Sequence, residues 1–145
     1  MSLVTLGHQR MINQDFSGQD LSDCQFQDCV LINCNFSRAN LSHANFDSAV
    51  LEGCDFSQAV LTKAEFYECE VRQCCFNQAN LTRADFTQIC LSDSELTLAN
   101  LAAACFDECD FTGQRIREEQ VSFTRFIRCK LEPEVQGLEG VSIEG

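Results

Sequence analysis

The chain has 145 residues, enough for one domain with a sizeable core and too few to expect two. It carries 22 acidic against 10 basic residues, a net charge of −12, which excludes binding nucleic acid through clustered Lys and Arg on phosphates and favours a basic partner. Tryptophan is absent, proline occurs once, and the 12 phenylalanines fall nearly all on one five-residue beat, the bias of a repeat protein.

Residues 1–10 are expected to form an N-terminal lid, with Leu3, Val4 and Leu6 covering the first coil. This segment has no basic stretch leading into a long apolar run, so neither a signal peptide nor a membrane span is expected. The expectation is a cytoplasmic protein whose eleven cysteines are reduced, and their odd number fits poorly with a closed set of disulfides.

From Met11 to Leu131 every fifth residue is apolar, twenty-five in succession without an insertion. Two positions before each, from Cys24 to Ala84, stands only Cys or Ala, and the other three positions of each repeat are mostly polar. No regular helix or flat strand keeps residues i−2 and i inside at a period of five. A coil that turns a corner every five residues does, if the next coil is hydrogen-bonded above it at strand spacing, roughly 4.8 Å. One coil alone could neither bury its core nor pair its backbone, so the architecture over residues 11–132 is an all-β solenoid.

Ala39-Asn40-Leu41-Ser42-His43, Ala79-Asn80-Leu81-Thr82-Arg83 and Ala84-Asp85-Phe86-Thr87-Gln88 resemble the A(D/N)LXX consensus of the pentapeptide repeat proteins, over about residues 9–132. The resemblance implies a right-handed quadrilateral β-helix with four repeats per coil, hence about six coils here. Positions twenty apart then stack. Phe16, Phe36, Phe56 and Phe76 form one internal column, and Phe26, Phe46, Phe66, Phe86, Phe106 and Phe126 form another on the opposite face. Residues 133–145 break the register and read as an acidic C-terminal tail, irregular or frayed, partly covering the last coil through Leu138, Val141 and Ile143.

Chemistry is sparse along the chain. Eight cysteines (Cys24, Cys29, Cys34, Cys54, Cys69, Cys74, Cys109, Cys129) fill the inward slot that also accepts Ala, where a thiol acts as a small hydrophobe. Their spacing lacks the paired sets of a zinc site, so no metal is expected. Cys75, Cys90 and Cys105 are expected to point outward, and the acidic neighbours of Cys75 and Cys105 are a poor setting for a reactive thiolate, with Arg125 beside Cys105 as the one opposing feature. His8 and His43 have no nucleophile and acid spaced as partners, and no glycine loop cradles phosphate. No catalytic residue and no cofactor is expected, and the protein is read as a non-enzyme.

What remains is charge. Around the second phenylalanine column the outward positions include Asp28, Asp47, Glu65, Glu68, Asp85, Asp107 and Glu108, expected to form an acidic face. Seven carboxylates over four coil spacings give about one per 3 Å, against about one per 1.7 Å in duplex DNA. A neighbouring face adds Glu52, Glu70, Asp93 and Asp110, relieved by Arg72; the face on the other side carries His43, Lys63 and Arg83. The last full coil reverses sign with Arg115, Arg117, Arg125, Arg128 and Lys130.

Family resemblance sharpens one functional reading. Some pentapeptide repeat proteins, the Qnr and MfpA types, resemble DNA in size and charge, bind DNA gyrase or topoisomerase IV, and affect quinolone action. This chain is similar to them in its alternating Phe/Leu core and acidic face. It lacks the loop insertions of the Qnr kind and a C-terminal helix that would pair two rods into a homodimer. The resemblance thus implies a DNA mimic that binds a type II topoisomerase and not nucleic acid itself. The alternative is a rigid protein-interaction scaffold with an unidentified partner, its acidic face serving solubility.

Overall fold

The computed structural model describes residues 6–145. The five-residue beat becomes short extended segments separated by corners, and most corners, those at Asp93 and Glu118 excepted, place one residue in the left-handed region. Among the described residues twenty non-glycine residues, including Asn13, His43, Lys63 and Arg83, adopt positive φ in this way. Each is disfavoured by about 1 kcal/mol, so the conformation persists only because stacked neighbours offset it. The Asn or Asp just before the beat residue serves the same corner. Asn40 Oδ1 accepts the Ser42 N–H at 3.1 Å, Asp55 Oδ1 the Ser57 N–H at 2.8 Å and Asn80 Oδ1 the Thr82 N–H at 3.1 Å. This is the physical content of the Asn/Asp position in each repeat.

Stacking occurs at an offset of twenty residues. Strands β1 (Arg10–Ile12), β2 (Val30–Ile32), β3 (Val50–Glu52) and β5 (Glu70–Arg72) form one parallel sheet, in register Met11, Leu31, Leu51, Val71. Strands β4 (Glu65–Tyr67), β6 (Asp85–Thr87), β7 (Cys105–Asp107), β8 (Thr124–Ile127) and β9 (Val141–Glu144) form a second. The other two walls are ladders of single bridges, such as Asp15, Asn35, Asp55, Cys75, Glu95 and Asp20, Asn40, Val60, Asn80, Asn100. Four walls make a quadrilateral β-solenoid of about 7 turns. That is one more than the repeat count predicts, because both ends add to the ladder.

Every beat residue from Phe26 to Phe126 is buried. The two phenylalanine columns stack ring on ring, with centroids 5.0 Å apart for Phe36 and Phe56 and 4.9 Å for Phe26 and Phe46. Rings from opposite walls meet edge to face, as Phe46 and Phe56 do at 5.7 Å. The core is therefore a filled bar rather than a channel.

The choice between Ala and Cys in the small slot follows the hydrogen bonding of the turn one coil below. Where that turn is closed, as by Ala39 N–H to Phe36 O (3.1 Å) and Ala64 N–H to Leu61 O (3.0 Å), the slot above holds Ala59 or Ala84. Where it is open, at Met11, Leu31, Leu51, Phe86 and Phe106, the inward carbonyl accepts the thiol of Cys34 (3.5 Å), Cys54 (3.3 Å), Cys74 (3.4 Å), Cys109 (3.3 Å) or Cys129 (3.1 Å). The Phe46 and Leu101 carbonyls take both a turn N–H and a side chain, Cys69 and Thr124 respectively. A thiol here is a small apolar group that also satisfies a buried acceptor.

One wall is interrupted. The first sheet ends at β5, and Cys90 pairs onward only to Asp110. The bonds Val50 N–H to Cys29 O and Gly53 N–H to Arg72 O have no equivalents at Cys90 and Gln73. Ile89 occupies the small slot above Cys69, a larger side chain than the Cys or Ala that fills this slot from Cys24 to Ala84. Cys69, Val71 and Ser94 are 6%, 4% and 5% exposed, where most of the core is at 0–1%. The amides of Gln73 and Cys90 are expected to exchange with deuterium at least tenfold faster than those of Gly53 and Val50. Equal protection at both pairs would show that the seam is closed.

The ends differ from the expected boundaries. Leu3 and Val4 lie outside the described residues, but Leu6 packs against the core and donates its N–H to Gln25 O at 2.7 Å, so the ladder begins within the expected lid. Residues 133–145 are neither irregular nor frayed. One helical turn, α1 (Pro133–Gln136), buries Val135, and β9 then joins β8 in register, Phe126 opposite Ile143. Leu138 and Val141 cover the last coil as expected, whereas Ile143 is 44% exposed. Val135 went unassigned because it lies off the five-residue beat. In the preceding coil a 3-10 turn (Glu118–Gln120) replaces the usual corner. There buried Gln120 donates to Leu96 O and Ala99 O, and Glu119 faces solvent from what the repeat makes an inward slot.

Candidate functional site: the acidic face

Two outward rows and one corner row run along the wall of the second phenylalanine column. The first reads Asn45, Glu65, Asp85, Cys105, Arg125; the second reads Asp47, Tyr67, Thr87, Asp107, Ile127; the corner row includes Asp28, Glu68, Glu108 and Arg128. All seven predicted carboxylates thus lie on this wall. They are not equivalent.

Asp107 and Glu108 share Arg128 from the coil above, at 2.8 and 3.0 Å to the two Asp107 oxygens and 3.6 Å to Glu108, so one guanidinium offsets one of their two charges. Asp28 faces His8 Nδ1 at 3.8 Å. The sequence reading set Arg128 apart in a basic last coil. The twenty-residue rule that stacks the core also carries Arg128 over Glu108, so the pairing was legible there.

Asp47, Glu65, Glu68 and Asp85 make no ion pair among the described residues and form the uncompensated stretch. Asp47, Glu65 and Asp85 line a shallow concavity with Phe66, Tyr67 and Thr87. Tyr67, 48% exposed at its centre, was not singled out in the sequence; its place between Asp47 and Thr87 in the second row is the signal that marks it. Asp47 has a structural duty as well, because its Oδ1 accepts the Tyr67 N–H at 3.0 Å.

Partial burial raises the carboxyl pKa of Asp47 and of Asp85. Glu65 is raised by burial and then by the charges of Asp47 and Asp85. A carboxyl whose folded pKa exceeds its unfolded one binds its proton more readily in the folded state. Stability is then lost as pH rises through the carboxylate range, and the ionised strip at neutral pH is electrostatically unfavourable. A cation brought to this surface relieves that repulsion.

Cys75 stacks between Asp55 and Glu95, and Cys105 between Asp85 and Arg125. Burial, with Glu95 and Asp55 beside it, pushes the Cys75 thiol up. Burial also pushes Cys105 up, with Arg125 opposing. Cys90 is exposed. On the neighbouring wall Arg72 pairs with Glu70 at 3.1 Å. Among the described residues no group of three or more His, Cys, Asp and Glu is placed to hold a metal ion, and no helix is long and apolar enough to cross a membrane.

The fold has close counterparts among solved structures. HetL, a protein involved in heterocyst differentiation regulation in Nostoc sp. strain PCC 7120, superposes with a TM-score of 0.74 at 23% identity over 87% of this chain. The present chain spans 55% of HetL. AT2G44920 from the Arabidopsis thaliana thylakoid lumen matches at 32% identity and a TM-score of 0.67, over 72% of each chain. QnrB1, a plasmid-mediated fluoroquinolone resistance protein, matches at 23% identity and a TM-score of 0.56 over 96% of this chain and 84% of its own. No curated protein matches the chain in sequence. The family model described as Pentapeptide repeats matches in 8 copies across residues 10–47, 20–58, 39–78 and 79–113. The five-residue beat, the quadrilateral coil and these matches agree: the chain belongs to the pentapeptide repeat family.

Proposed function

We propose that the protein is a non-catalytic interaction module whose acidic strip, Asp47, Glu65, Glu68 and Asp85, is read by a basic protein surface in the manner of DNA, with a type II topoisomerase, gyrase or topoisomerase IV, as the partner. The carrying observation is that these carboxylates make no ion pair among the described residues, while burial raises Asp47, Glu65 and Asp85, with added repulsion at Glu65 from its two neighbours. The likeness to QnrB1 supplies the fold at the right scale. The reading places the protein in the cytoplasm, where its thiols stay reduced.

A second reading has its own observation. Arg128 and His8 bracket the strip, leaving a bare patch shorter than the seven carboxylates suggested, and a short patch suits a scaffold that receives one basic loop. A gyrase supercoiling assay separates the two. The purified protein is expected to inhibit at low ionic strength and to lose the effect as salt shortens the screening length from about 30 Å at 0.01 M to about 8 Å at physiological strength. No inhibition at any salt concentration would leave the scaffold.

A further inference from the structure

We infer that Cys109 and Cys129 form a reversible, peroxide-oxidised disulfide that staples the last two coils of the rod. The argument is independent of the acidic strip. The flanking bridges Asp107 to Ile127 and Asp110 to Lys130 put the two cysteines in register, one rung apart. Their Cα atoms are then separated by roughly 4.8 Å, within the about 4.4–6.8 Å span of disulfides. Cys109 Sγ reaches Phe86 O at 3.3 Å, and Cys129 Sγ reaches Phe106 O at 3.1 Å.

Access distinguishes this pair from the others. Cys109 lines a surface concavity with Glu108, Asp110, Arg128 and Lys130, and half-buried Cys129 lines another with Leu131 and Gln136. The pair Cys54 and Cys74, stacked in the same way in mid-rod, is buried at both members, whereas here Cys109 is buried and Cys129 reaches the surface. It is the internal control.

The chemistry balances with a hydroperoxide as oxidant. The Cys129 thiolate attacks a peroxide oxygen, becomes a sulfenic acid and releases hydroxide, which takes up a proton and leaves as water. The Cys109 sulfur then attacks the sulfenic sulfur, gives up its proton and displaces the hydroxyl as a second water. Two thiols are oxidised to one disulfide and one peroxide is reduced to two waters. Parallel Cβ vectors at rung spacing exceed the roughly 3.8 Å between Cβ atoms that a relaxed disulfide prefers. The bond is strained, and strained bonds are the readily reduced kind.

The test treats the reduced protein with hydrogen peroxide, followed by alkylation, trypsin and mass spectrometry. The expected product joins the dipeptide Cys129-Lys130 to the peptide containing Cys109, short by two hydrogens and released by dithiothreitol. In Cys109→Ala, a change the repeat accepts elsewhere, Cys129 is expected to stop at a sulfenic acid trapped by dimedone. A native protein that keeps both thiols free under peroxide overturns the proposal. So does crosslinking of Cys54 to Cys74 at an equal rate.

Discussion

Replacing Phe66 with alanine is expected to cost about 3–5 kcal/mol of folding stability. Phe66 lies between Phe46 at 5.0 Å and Phe86 at 4.4 Å, both stacked, and meets Phe76 edge to face at 6.2 Å. Its ring is buried, and its backbone is held in β4, paired in register with Phe86 in β6. Around Phe66 the β4–β6 pairing and the ladders of single bridges hold the walls at rung spacing and resist their moving inward to fill the space. A site that cannot collapse keeps its cavity and lies at the upper end of the range for such truncations. Stability from urea denaturation decides it. A loss under 1 kcal/mol would mean that this ring does not sit in the filled bar.

The sequence carried the core because one rule, a beat of five, specifies which two of every five side chains point inward, and no competing period obscures it. The same rule, extended to an offset of twenty, specifies every stacked phenylalanine pair. It fails where a residue answers to a local need instead of the beat. Ile89 has the right polarity for its slot and a larger volume than the Cys or Ala of the pattern, and the first sheet ends one coil below it, at β5. Glu119 falls in an inward slot and faces solvent, because Gln120 supplies the donors that Leu96 O and Ala99 O require. Val135 and β9 lie beyond the last beat, where burial of the open coil end sets the arrangement. The acidic face was legible as a composition, and its pairing with Arg128, which spans a full coil to reach Asp107, follows only when the twenty-residue offset is applied to charge as well as to the core.

The role of the thiols was also only half legible. Their inward placement followed from the beat, but Cys34, Cys54, Cys74, Cys109 and Cys129 each bond a carbonyl that the turn one coil below leaves free, while Cys69 shares its carbonyl with a turn N–H. That is a hydrogen-bonding state, which residue spacing does not encode.

Reversing Glu65, Glu68 and Asp85 to lysine together is the change expected to separate function from fold. It moves the net charge from −12 to −6 and replaces three of the four uncompensated carboxylates. Asp47 is left in place because its carboxylate holds the Tyr67 N–H, and losing that acceptor would confound the result with instability. The three chosen side chains are exposed and accept no backbone hydrogen bond, so each is expected to alter stability by no more than about 0.5 kcal/mol. The decisive measurement is gyrase supercoiling at low salt with the wild-type and triple-lysine proteins side by side, with melting followed in parallel. Inhibition by the wild type, lost in a variant that melts within a few degrees of it, is the predicted outcome. An equally inhibitory variant would contradict the assignment of the acidic strip as the surface a partner reads.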